Sequence, residues 1–291
     1  MSKIIEFASN SYPDRLRNIE NPPTRLYLEG NADILNEIGI SVVGSRTNTQ
    51  YGEKMCKKFV KSLTEYNINV ISGLALGIDG IAHKTCLKNG GKTIAVLPCG
   101  LENIYPYEHR SLAKQIIDNG GVVISEYENK IKADSNKFLE RNRIVAGLGI
   151  GTLVVEAGER SGTRVTARYA QNNGKPVFCI PSSLENIKGK TTNELIQKGA
   201  ILVTDVNDIL EYYQDINFLP RNIKPKNDFI DISSNLLQIY EIIKDVPIDI
   251  NEISRKTKMS ISDVNYKTMI LELENKIVQL PGKRFVRNYD D

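Results

Sequence analysis

From residue 40 to residue 203 the sequence repeats one theme, and that theme constrains the fold more than anything else in the chain. A short apolar run ends in a Gly- or Ser-rich turn, and a helical pattern follows. The runs are 40–43, 70–72, 93–97, 122–125, 152–155, 176–180 and 200–203. Each is too short for a typical helix and rich in Val and Ile, as expected of a strand buried on both faces. Between them, 52–65, 80–89, 111–119, 163–172 and 192–198 carry helical spacing. Gly90-Gly91, Gly120-Gly121 and Gly174 stand just past three of these helices, where a left-handed C-cap belongs. Strand and helix alternating in this way predict an α/β domain: an extended Rossmann-like, mainly parallel sheet with helices on both faces.

The theme stops near Tyr213. A Pro- and Lys-containing stretch at 217–228 reads as a linker. Beyond it, helical patterns at 236–243, 249–257 and 262–274 precede two short runs, 277–280 and 284–286, joined by Pro281-Gly282-Lys283. Three helices and a hairpin are the pattern of a winged helix. The expected division is therefore a lead-in at 1–30, a Rossmann-like domain at 31–213, a linker at 214–232 and a small winged-helix domain at 233–291.

Composition narrows the function classes. A net charge of +3 over 291 residues neither requires nor excludes nucleic acid, so binding must come from a local patch. Cys56, Cys86, Cys99 and Cys179 form no CxxC pair, and His83 and His109 are the only histidines, so metal-ligand spacing is absent. No cofactor is expected. Reduced thiols, with no signal peptide and no apolar run approaching the roughly 20 residues of a membrane span, point to a cytoplasmic protein without membrane attachment.

Three turns at strand ends carry the chemistry. After the first strand, Gly44 admits close backbone approach, Ser45 offers a hydroxyl, and Arg46 adds a forked cation suited to phosphate. The turn lacks the third glycine of GxGxxG, and no acidic residue ends the next strand, so a dinucleotide is disfavoured. A tight structural turn is the alternative. After the second strand come Ser72-Gly73, with Asp79 as a plausible helix N-cap and His83 expected to pack within the fold. After the fifth, Ser161-Gly162-Thr163 form a third anion-ready loop, and Glu156 is a candidate acid or base, or a residue that orients an arginine. Between strands, Lys130, Lys132, Lys137, Phe138, Arg141, Asn142 and Arg143 suit a surface where cations track phosphates and a ring stacks on a base. Phe138 could equally anchor in the core. Anion-ready loops along one edge of one parallel sheet suit a polyanion better than a mononucleotide.

Taken together, VVGSRTNTQYG (42–52), SGLALGIDGIAH (72–83), TIAVLPCGLENIYP (93–106), FLERNRIVAGL (138–148), VVEAGERSGTRVTARYA (154–170) and NELIQKGA (193–200) resemble the DprA/Smf family of DNA-processing proteins. The resemblance covers about residues 12 to 210, and the C-terminal segment looks like a winged-helix appendage of that family. It implies a non-enzymatic homodimer that binds and protects single-stranded DNA in natural transformation and recombination, and loads a RecA-type recombinase on it. By position it assigns DNA contacts to Arg46, Ser72, Gly73, Phe138, Arg141, Asn142, Arg143 and Ser161 through Thr163. From their place in the turns and the basic stretch, Gly44, Ser45 and Lys137 complete the expected set. Pro98, His109 and Ile180-Pro181-Ser182 depart from the family pattern, and the N-terminal segment is too short for the SAM-like domain of many members. The alternative is a nucleotide-processing enzyme of the lysine-decarboxylase-like phosphoribohydrolase type, with Glu156 at its centre. A transcriptional regulator using the winged helix is a third reading.

Overall fold

The computed structural model describes residues 3–159, 161–215, 234–244 and 246–288, which form two compact units. The stretch expected to be a linker, 217–228, lies outside the described residues.

The first unit is built on a nine-stranded sheet. Its strands are β1 (Lys3–Glu6), β2 (Arg25–Gly30), β3 (Gly39–Val43), β4 (Asn69–Ser72), β5 (Thr93–Leu97), β6 (Val122–Ser125), β7 (Gly151–Val154), β8 (Val177–Cys179) and β9 (Ile201–Leu202). Their order is β1-β2-β6-β5-β4-β3-β7-β8-β9. Strands β3 to β9 are parallel to one another, while β2 pairs antiparallel with β6 and β1 antiparallel with β2 to add an antiparallel edge. The segment read as a lead-in is therefore part of the sheet. Its signal was weak because Lys3–Glu6 is only four residues long and has a single buried position.

Helices α1 (Asp14–Arg17), α2 (Gln50–Glu65), α3 (Ile78–Lys88), α4 (Arg110–Asp118), α5 (Ser135–Leu148), α6 (Thr163–Asn172), α7 (Lys190–Gln197) and α8 (Val206–Asp215) cover the sheet. Strand side chains alternate between faces. On β3, Val43 packs in a cluster with Leu16 of α1, Ile144 of α5, Ala167 of α6 and Leu195 of α7. Ile40 and Val42 turn the other way, towards Phe59 of α2, Ile78 of α3 and Ile209 of α8. Farther along that second face, α4 contributes Leu112 and Ile116 against Ala95 and Leu97 of β5. Gly90, Gly120 and Gly174 take positive φ at the ends of α3, α4 and α6, as their place in the sequence predicts.

The start of α5 shows no simple amphipathic stripe, and the reason is visible. Its second half, from Ile144 to Leu148, is buried on every side, whereas its first turns are solvent-facing. A helix that enters the core end-on has no single apolar face. What marks its start is Asp134, whose side chain accepts hydrogen bonds from the backbone N–H groups of Asn136 and Lys137 at 3.0 Å each.

The second unit contains α9 (Ser234–Ile242), β10 (Ile248–Asp249), α10 (Ile250–Thr257), α11 (Ile261–Leu273), β11 (Ile277–Leu280) and β12 (Arg284–Arg287). Leu236, Ile239, Ile253, Val264, Leu271 and Phe285 fill its core. Asp249 caps α10 and Ser260 caps α11. The three strands pair antiparallel in the order β10-β12-β11, completing a winged helix. The Arg287 guanidinium donates to the carbonyls of Tyr240 and Ile243 and lies 4.2 Å from the centroid of the Tyr240 ring, so it fastens the wing to α9.

His83 illustrates how tightly the first unit is packed. It is fully buried on α3, and its Nδ1 lies 2.7 Å from Thr93 Oγ1. Thr93 already donates its hydroxyl proton to the Val70 carbonyl, so Nδ1 must carry the proton and donate. Nε2 has no partner, and a proton there would be a buried charge without an acceptor. Burial above all, with the nearby His109 and Arg141 adding to it, lowers the His83 pKa from 6.5 to about 3. Between these values the unfolded chain binds a proton that the folded one refuses. Stability is therefore unaffected by this group above pH 6.5 and declines as pH falls towards 3, by up to about 1.4 kcal/mol per pH unit. We expect urea unfolding of wild type and His83→Asn to converge in stability as pH drops from neutral towards acid; parallel pH profiles for the two proteins would contradict this assignment.

Candidate nucleic-acid interface

The strand order reverses direction at β3 and β7. From β3 the chain moves through β4, β5 and β6 on one side, and from β7 it moves through β8 and β9 on the other. Successive crossovers leave in opposite directions there, opening a crevice outside the carboxyl ends of the two strands. A groove of about 840 Å³ occupies that position. Gly44, Ser45, Arg46 and Thr47 from the turn after β3 line it, facing Gly158, Glu159, Ser161, Gly162 and Thr163 after β7, and α5 contributes Phe138, Arg141 and Asn142.

The two turns are locked together by the backbone. Ser45 N–H donates to the Glu156 carbonyl at 2.7 Å, and Ile78 N–H donates to the Ser45 carbonyl at 3.1 Å. Gly77 sits between them at φ +75°, and a Cβ there would come within 2.3 Å of the Ser45 carbonyl oxygen. Only glycine accommodates both the conformation and the approach. Glu156 is 1% exposed, and its carboxylate accepts from Thr49 N–H at 2.8 Å, Thr49 Oγ1 at 2.6 Å and Asn186 Nδ2 at 3.1 Å. It orients no arginine among the described residues; it braces the N-cap of α2 instead.

Arg141 holds the floor. It is 3% exposed, and its guanidinium donates to the carbonyls of Gly73 and Val96, which lie just past β4 and inside β5. A side chain at position 73 would overlap the guanidinium, which is why glycine stands there. Asp79, expected as an N-cap, instead turns back to accept from Gly73 N–H at 3.1 Å and Ala75 N–H at 3.4 Å, leaving Gly77 at the helix cap without a side-chain bond. Burial raises the Asp79 pKa, opposed chiefly by the Arg141 charge. Burial also lowers Arg141 to about 10, opposed by Asp79. At neutral pH Arg141 remains a cation beneath the groove.

Above it, the Arg46 guanidinium carbon lies 4.5 Å from the centroid of the Phe138 ring. Arg46 has no carboxylate partner among the described residues. Phe138 is half-exposed rather than anchored in the core, and Tyr105 meets it edge-on at 5.7 Å. Asn142 Nδ2 donates to the Gly162 carbonyl at 3.3 Å. Ser161 Oγ takes up the Thr163 N–H at 3.2 Å at the N-terminus of α6.

Of the thirteen residues expected to contact DNA, Gly44, Ser45, Arg46, Phe138, Arg141, Asn142, Ser161, Gly162 and Thr163 are brought together around this groove. Four are not. Ser72 is fully buried, with its hydroxyl donated to the Val42 carbonyl at 2.6 Å, and Gly73 is sealed behind Arg141. Lys137 pairs with Asp134, its own helix cap. Arg143 points elsewhere, pairing bidentately with Glu126 at 2.9 and 2.6 Å, because residues 141 and 143 lie on different sides of one helix. The sequence reading missed Thr47, Tyr105 and Lys188. The Lys188 ammonium bonds the Thr47 carbonyl across the groove mouth, a pairing 141 residues apart in the chain that no local signal announces.

An extended Rossmann-like unit with a basic, aromatic crevice at its switch point, joined in one chain to a winged helix, defines a class of nucleic-acid-handling proteins. A sequence model of the family described as DNA recombination-mediator protein A matches residues 3–214, and that of the DprA winged helix domain matches residues 231–283. The chain belongs to the DprA/Smf family of DNA-processing proteins. Protein Smf of Escherichia coli K12 is 36% identical over 96% of this chain and 76% of its own length. DNA processing protein DprA of Streptococcus pneumoniae R6 is 40% identical over 70% of this chain and 71% of its own. The X-ray structure of Streptococcus pneumoniae DprA superposes with a TM-score of 0.68 at 38% identity, covering 72% of this chain and 73% of that one. A structure of the Helicobacter pylori protein, described for its single-stranded DNA binding mode, superposes with a TM-score of 0.66 at 29% identity over 74% of this chain and 97% of that one.

The floor of the groove depends on a buried charge, and removing it has a defined consequence. Arg141→Met strands the Gly73 and Val96 carbonyls and leaves Asp79 unopposed, which should cost about 3–5 kcal/mol. A lowered denaturation midpoint of that size checks it; a variant as stable as wild type would show that the carbonyls find other partners.

Proposed function

We propose that the groove binds single-stranded DNA through its sugar-phosphate backbone and one or more stacked bases, without chemistry on the strand. The observation that carries this reading is Arg46, a cation with no carboxylate partner among the described residues, stacked on the half-exposed Phe138 ring at the crevice mouth. A guanidinium there neutralises a phosphate, and the adjoining Phe138–Tyr105 pair offers a face to a base of any identity. The α6 N-terminus supplies further donors to anionic oxygens, and because Ser161 Oγ donates to Thr163 Oγ1, the Thr163 hydroxyl keeps its own proton to donate. The resemblance to the Helicobacter pylori protein supports the same ligand.

The non-enzymatic reading draws support from Glu156, the candidate acid or base of the phosphoribohydrolase alternative. Three hydrogen bonds and near-complete burial commit that carboxylate to structure. Family membership extends the proposal to protection of single strands, loading of a RecA-type recombinase and action as a homodimer in the cytoplasm. The four buried thiols fit a reducing compartment, and no described helix is long and apolar enough to cross a membrane. The division into a Rossmann-like domain, a linker at 214–232 and a winged-helix domain is part of the same proposal. The winged helix displays Tyr266, Met269 and Leu273 on α11, which favours docking or auxiliary contact over reading a duplex sequence.

Anisotropy titrations with labelled oligonucleotides at several salt concentrations test this. Arg46→Glu should weaken single-strand binding about tenfold or more and flatten the log–log salt slope by about 0.7 or more. Phe138→Ala should weaken it about 5- to 150-fold with the slope preserved, since stacking rather than charge is lost. Undiminished binding by both variants would remove this groove as the binding site.

A further inference from the structure

Tyr105 lines the groove and is 51% exposed, and two positions along the chain Tyr107, outside the lining, is 71% exposed. The Arg110 guanidinium carbon lies 4.5 Å from the Tyr107 centroid, repeating beside the groove the cation-over-ring arrangement of Arg46 and Phe138 within it. Arg110 opens α4, and Lys114 follows one turn later on the same exposed face. Neither cation has a carboxylate partner among the described residues, and their acidic neighbour Glu108 pairs with neither. An exposed aromatic ring beside a guanidinium, with a second cation one turn beyond, adds little to the packing of this unit.

Resting on the reading of the groove as a single-strand site, we propose that Tyr107, Arg110 and Lys114 form a second subsite, which stacks a base and neutralises the phosphates of the strand as it leaves the groove past Tyr105. Cα atoms two residues apart lie within about 7 Å. That matches about two steps of a strand rising about 3.4 Å per nucleotide, so bases two positions apart are the ones that would meet Tyr105 and Tyr107. The subsite is indifferent to sequence, because every base has a π face. It extends the bound length and adds two charges to the salt dependence.

The test compares short and long oligonucleotides, of about 4 and about 16 nucleotides, with wild type, Arg46→Glu, the double variant Tyr107→Ala/Arg110→Ala, and Tyr107→Phe, after confirming equal melting temperatures. The double variant should bind the long strand about tenfold or more weakly and the short one as wild type does. Tyr107→Phe should retain long-strand affinity, because the ring and not the hydroxyl stacks. Arg46→Glu should weaken both lengths. If Arg46→Glu weakens binding but the double variant loses nothing on the long strand, or loses equally on both, the second subsite is wrong while the groove stands. If wild type binds neither length, both fall together.

Discussion

The buried Arg141 guanidinium is the fixed point of the site. By donating to the carbonyls of Gly73 and Val96 it ties the ends of two adjacent strands to the middle of α5. The opposing charge of Asp79, itself held by two backbone N–H groups, keeps the arginine ionised in a place where burial alone would disfavour it. With that end of the sheet rigid, the turn after β3 is pressed against the turn after β4 through Gly77, and Arg46 emerges above the Phe138 ring. A charge that touches solvent at only 3% of its surface thus positions one that is free to act.

Charge is distributed more selectively than composition suggests. The basic stretch from Lys130 to Arg143 reads as a continuous cationic surface. In the fold Lys137 is neutralised by Asp134, Arg143 by Glu126, and Arg141 is consumed by carbonyls. Among the described residues, what remains at the groove is Arg46 together with Lys188, contributed by distant segments. A net charge of +3 is therefore compatible with a local anion site, because the two cations face an opening walled by low-dielectric protein whatever the balance over the rest of the surface.

Much of this was legible in the residues. The apolar runs and the glycines beyond the helices located the parallel strands within a residue or two, since a strand buried on both faces needs an unbroken apolar run. The winged helix was equally clear from three helical patterns followed by two short runs around Pro281-Gly282-Lys283. Less legible were β1, too short and too exposed to signal a strand, and the first turns of α5, whose apolar half is surrounded by core. Ser72 and Arg143 were placed in the groove by motif, but a motif does not state which way a side chain turns.

Sequence by itself determined the alternation of strand and helix, the positions of the turns and the chemical types gathered at them, because these follow from local periodicity and from backbone conformations that only certain residues adopt. Tertiary structure alone decided which of those side chains share a crevice. Strand order places β3 beside β7, so that turns more than a hundred residues apart face each other, and helix phase turns Arg141 inward and Arg143 away. Neither fact is a property of neighbouring residues; both arise from how separate elements pack, and that packing separates a residue that can meet a ligand from one that holds the scaffold.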